Sequence, residues 1–91
     1  MTGVRGRELY RRYHRLIDDL AQSAEAGADW RAELSAQIER FEADADALDS
    51  ASARVLREEL CEQLEHEALH STRDLAREIL IAALKQLELG G

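Results

Sequence analysis

Proline is missing altogether from these 91 residues, and aromatic side chains make up only 4% of them. Average usage would supply about four or five prolines, so turn-rich all-β architectures are disfavoured. β-branched residues, the other natural strand formers, are scarce as well. A single cysteine, Cys61, excludes an internal disulfide framework and fits a reducing compartment. No apolar run approaches the ~20 residues that span a bilayer, and no signal-peptide pattern opens the chain. The expectation is a cytoplasmic protein with no membrane partner. What is present favours helix, since Ala, Leu, Glu and Arg dominate. At 45% hydrophobic and 34% charged the chain is too apolar for an acidic disordered segment. Its length allows one domain, residues 1–91.

Helical spacing marks three amphipathic segments. Leu9, Tyr13, Leu16, Leu20 and Ala24 recur at three- and four-residue steps, widened on one side by Tyr10, Ile17 and Ala21. Gly27 is a suitable stop for the first segment and Asp29 a suitable N-cap for the second. Trp30, Leu34, Ile38, Phe41, Ala45 and Leu48 form the cleanest stripe, and Leu56, Leu60, Leu64, Ala68, Leu75, Ile79 and Ala82 form the last. No Gly or Pro separates the second segment from the third. Phase does: at 100° per residue the stripe around Phe41 is rotated roughly 130° from that of Leu60 and Leu64. Asp49, Ser50 and Ser52 supply side-chain acceptors for a fresh N-cap there. The pattern predicts helices over about 6–25, 30–48 and 52–88, an all-α, three-helix antiparallel bundle with a long third helix.

That third helix would be about 55 Å long, nearly twice either neighbour. Its end is apolar almost all round, through Ile79, Leu80, Ile81, Ala82, Ala83, Leu84 and Leu87. A helix hydrophobic on every side is normally buried. Either helix one folds back over this end or a second chain covers it. A homodimer through Leu80, Ile81, Leu84 and Leu87 is the simplest version of the latter, two-fold dimers being the commonest oligomers.

Charge is divided along the chain. The total is −7, yet residues 1–16 carry five Arg against Glu8 alone, a net of +4, and residues 17–91 carry −11. A basic end on an acidic body suits recruitment of an acidic protein; a solvated helix face is the plainer alternative. Nucleic acid is a poor partner, because the acidic body repels a phosphate backbone.

Three patterns bear on chemistry. His66-Glu67-Ala68-Leu69-His70 satisfies HExxH, in which imidazoles at i and i+4 share a helix face and reach one zinc while the glutamate acts as general base. A zinc protease also needs a third ligand and a strand edge for its substrate, and no strand is predicted. Glu62, His66, His70 and Asp74 lie four apart, and Glu67-x-x-His70 has the spacing of a bundle-core di-iron half-site. Glu62, His66, Glu67 and His70 are therefore the candidate ligands for zinc or iron. Their angular placement, away from the Leu60/Leu64 stripe, equally fits histidines solvated on a polar face. His70, with Asp74 four residues on, also loosely resembles the phospho-accepting helix of sensor-kinase dimerisation domains, which would imply histidine phosphotransfer. Cys61 sits one step off the core line and reads as a half-buried thiol rather than a nucleophile.

Leu9-Tyr10-Arg11 resembles the signature tripeptide of the LYR-motif family, and Phe41 stands where that family places a phenylalanine on its second helix. The likeness spans residues 9–48. It implies a small three-helix assembly factor or accessory subunit of the mitochondrial matrix that takes an acyl carrier protein as partner. On that basis Tyr10, Arg11 and Phe41 would belong to the binding surface, with Arg11, Arg12 and Arg15 facing the acidic carrier.

The sequence thus favours a non-enzymatic interaction module, an adaptor, assembly factor or small regulator, with no resident cofactor. It would use the apolar third helix and the basic first helix. A metal-binding bundle is the alternative.

Overall fold

A computed structural model describes residues 2–25 and 27–90, and side-chain surroundings for 5–25 and 27–89. It is all-helical, in the order α1 (Thr2–Ser23), α2 (Trp30–Asp46), α3 (Ser50–His70) and α4 (Asp74–Gly90), with no strand among the described residues. None of these helices is long and apolar enough to cross a membrane.

The break between α2 and α3 falls where phase required it. The last turn of α2 tightens, with the Ala47 and Leu48 amides donating to the Asp44 and Ala45 carbonyls at 3.2 and 3.0 Å. Asp49 then turns extended and its Oδ2 accepts the Ser52 amide at 3.3 Å, which caps α3. Hydrogen bonding from Ser52, by its side chain first and then by its backbone amide, holds the Asp49 carboxyl below its usual range. Between α1 and α2, Gly27 takes φ +93°, a left-handed conformation that disfavours other residues. Asp29 occupies the N-cap position of α2 but makes no side-chain cap bond.

The long third helix is not formed. α3 ends at Ser71, whose backbone turns extended, and α4 starts three residues later. Three interactions hold this corner. The Ser71 hydroxyl donates to the Arg73 carbonyl at 3.1 Å, a local bond that competes with helix continuation. Arg73 reaches the end of α1, donating to the Gln22 carbonyl and, at 3.5 Å, to the Ala24 carbonyl. Arg77 closes the corner from within α4 by donating to the Ser71 carbonyl at 2.7 Å. A straight helix of about 55 Å would exceed the longest dimension of the molecule, 40 Å. The architecture is a four-helix bundle rather than a three-helix one.

Folding back gives the all-round apolar α4 neighbours on several sides, for it packs on α3, α1 and α2. Ile79, Leu80, Ala83 and Leu87 are buried. Leu80 and Leu87, expected on a partner surface, are core residues. The helix end that suggested dimerisation is therefore covered within the chain at these four residues, while Ile81 stays exposed. α1 and α4 meet across the centre of the bundle, whereas α2 and α3, consecutive in sequence, touch least.

The buried residues among those described are all hydrophobic, and only Tyr13 and Trp30 of them carry a side-chain O–H or N–H. Leu9, Tyr13, Ile17 and Leu20 of α1 meet Trp30, Leu34, Ile38 and Phe41 of α2, Leu56, Leu60 and Leu64 of α3, and the α4 set. Each such large side chain contributes about 1.5–3 kcal/mol by leaving water. Tyr13 stands edge-on to Phe41 with ring centroids 5.3 Å apart, and its hydroxyl donates to Asp44. Polar links join the helices around this core. Arg57 of α3 pairs with Glu42 of α2, both half-buried, and the more exposed Arg31 of α2 pairs with Glu78 of α4 at 3.1 Å.

Candidate functional site

On α1 the residues Tyr10, His14 and Asp18 follow one another at four-residue steps beside the core stripe, so they line one edge of the helix. They face α3, where Gln63 and Glu67 hold the matching edge. His14 Nε2 and Glu67 Oε1 lie 2.7 Å apart, the Gln63 amide donates to the same oxygen at 3.4 Å, and Tyr10 stacks on the His14 ring with centroids 5.8 Å apart. Glu67 Oε2 is buried and accepts no hydrogen bond from the described residues. Burial, followed by the Glu67 and Glu59 charges, raises the Tyr10 phenol above its ordinary pKa. Asp18 is raised too, first by burial and then by Glu67, with His14 pulling the other way.

Toward the α3–α4 corner this seam opens into a hollow of about 480 Å³ whose walls include Asp18, Gln22, Gln63, His66, Glu67, His70 and Arg73. His66 and His70 are exposed at its rim, with ring centroids 4.5 Å apart and planes tilted by 58°. This is what i, i+4 spacing on one helix produces. Glu62 is exposed and does not line the hollow. Among the described residues no three His, Cys, Asp or Glu side chains are gathered into a set that could hold a metal ion. The four candidate ligands are thus dispersed: two imidazoles adjoin each other, Glu67 has turned to His14, and Glu62 stands apart. Glu67 is engaged as a half-buried partner of His14, which does not suit the general-base role of HExxH.

A second feature lies on the α3–α4 face. Ala68, Leu69, Ile81 and Leu84 line an apolar groove of about 360 Å³, with Glu65 on its α3 side and Arg77 on its α4 side. Leu69 is 74% exposed and Ile81 39% exposed. Of the four apolar residues expected to contact a partner, Ile81 and Leu84 lie here, and Leu80 and Leu87 do not. Leu69 is masked in the sequence by its place inside HExxH; its one signal is an apolar side chain on a helix edge otherwise made of Glu62, Glu65 and His66. Cys61, half-buried close by, has its thiol pushed up by burial and then by Glu88, so it is a poor nucleophile.

The residues carried by the LYR likeness separate. Arg11, Arg12 and Arg15 are exposed on α1, with Arg12 3.9 Å from Asp44. Tyr10 is half-buried against His14, and Phe41 is buried in the core. Burial withdraws Phe41 from any binding surface, because the α2 face that carries it packs inward beside Trp30, Leu34 and Ile38.

In comparisons with known proteins, no family model, no curated protein and no solved structure matches the chain.

Proposed function

We propose that the protein is a non-enzymatic interaction module whose α3–α4 face docks a second copy of the chain. The observation that carries this reading is the pairing of a knob and a hole on one face: the protruding Leu69 beside the hollow between Ala68, Ile81 and Leu84. A two-fold interface uses the same patch twice, so the patch must complement itself. Charge follows the same rule. With the two-fold axis parallel to the helices, α3 of one copy faces α4 of the other, and Glu65 comes opposite the partner's Arg77. Arg77 is within about two residues of the level of Glu65 along the hairpin, a rise of about 3 Å.

The exposed Arg11, Arg12 and Arg15 ridge on α1 lies outside this face and gives the module a separate electrostatic contact for an acidic protein. The acidic carrier implied by the LYR likeness is one partner of that chemistry.

Light scattering after size exclusion tests the docking face. Leu69→Glu is expected to halve the mass of the assembly while circular dichroism keeps its helical signal, since Leu69 contributes little to the core. Glu65→Arg is expected to weaken association by setting two cations opposite each other. An assembly indifferent to Leu69→Glu would overturn the assignment of this face.

A further inference from the structure

The hollow between α1 and the α3–α4 corner is not used by the docking face, yet its chemistry is concentrated. Two imidazoles stand side by side on its rim. Two carboxylates, Asp18 and Glu67, line its wall, and Glu67 leaves one buried oxygen without a partner among the described residues. Against them His14 is bonded to Glu67 and Arg73 is directed to the carbonyls at the end of α1. Carboxylate charge beside a pair of imidazole rings favours a cation.

We propose that His66 and His70 form a two-imidazole chelate for a zinc-like divalent transition metal, held at the mouth of this hollow, with the Asp18 carboxylate on its wall adding negative charge. Imidazole nitrogen is a preferred donor for such ions, whereas magnesium and calcium prefer oxygen donors throughout. Spacing of i, i+4 brings both rings to one ion without altering the helix. Two protein nitrogens leave the other positions to water, since no third donor is gathered with them among the described residues. Glu67 stays with His14 and acts through its charge. Glu62, outside the hollow, takes no part. The site is therefore different from the four-residue ligand stripe that the sequence suggests, because packing of α1 puts Asp18, and not Glu62, on the wall of the hollow.

Isothermal titration of the untagged full chain with zinc chloride in a non-chelating buffer tests the site. One zinc per chain is expected. His66→Ala and His70→Ala should each weaken binding at least about tenfold, and Asp18→Asn several-fold, within the range of ligand and supporting-residue losses. Glu62→Ala should leave affinity unchanged, and magnesium should give no saturable heat. Both histidines are exposed, so circular dichroism should show all variants folded. Running the titration again on Leu69→Glu separates this site from docking. Absence of saturable zinc uptake, affinity that survives the double histidine variant, or one zinc per two chains would each overturn the proposal.

Discussion

Asp18 occupies a half-buried position on α1 where its own burial and the Glu67 charge both oppose ionisation. Its pKa in the folded chain is therefore above that of the unfolded chain, so protonation favours the fold. The stability this contributes is complete below the ordinary carboxylate value of about 3.9 and is lost as pH rises through the raised value. At pH 7 the ionised group is a cost. Asp18→Asn is expected to raise the thermal midpoint at pH 7, with the gain shrinking to nothing as pH falls below about 4. A less stable Asn variant at pH 7 would show that attraction to His14 outweighs burial. His14 is the least legible residue of the seam. On sequence it reads as a helix-surface histidine, and its bond to Glu67 joins positions 53 apart in the chain. No spacing rule reaches that far. The four-residue steps from Tyr10 to His14 to Asp18 are visible in the sequence, but only the packing of α3 against them gives those steps a meaning.

Two helix breaks in this chain differ in what announces them. At Asp49 the apolar stripe changes direction and an acceptor side chain stands ready, so local pattern suffices. At Ser71-Thr72-Arg73 the stripe keeps its phase: Ala68 and Leu75 are seven residues apart, two helical turns. Neither Gly nor Pro interrupts it. The corner is held by Arg73 reaching the carbonyls of α1, a contact made in three dimensions and invisible to periodicity. The apolar stretch from Ile79 to Leu87 does carry the message that this helix must be buried, and α4 meets it through Ile79, Leu80, Ala83 and Leu87 while Ile81 stays exposed. Truncating one buried and one exposed leucine of α4 tests the placement. Leu80, 1% exposed, should lose about 2–5 kcal/mol on Leu80→Ala in chemical denaturation. Leu89, 87% exposed, should change by no more than about 0.5 kcal/mol on Leu89→Ala. Equal effects at the two sites would contradict an inward-packed α4.

The whole molecule has a radius of gyration of 12.8 Å, against about 12 Å for a compact domain of this length. A single apolar core reaches from Leu9 to Leu87 and draws on all four helices. With that core closed, Leu16, Val55, Leu69, Ile81 and Leu89 are the large apolar residues left exposed among the described ones, and the α3–α4 face is where a protruding leucine, a hollow and both signs of charge occur together. Six residues line the groove on this face, few beside the roughly 20–30 per side of a standard stable interface, so the proposed dimer would be reversible rather than obligate. The basic ridge of α1 stays free in such a pair, so one assembly can present two ridges to acidic partners. Sedimentation equilibrium of the unmodified chain over a wide concentration range tests self-association most directly. The expected result is a mass that rises with concentration from 10.3 kDa toward twice that value; a mass fixed at 10.3 kDa throughout would contradict it.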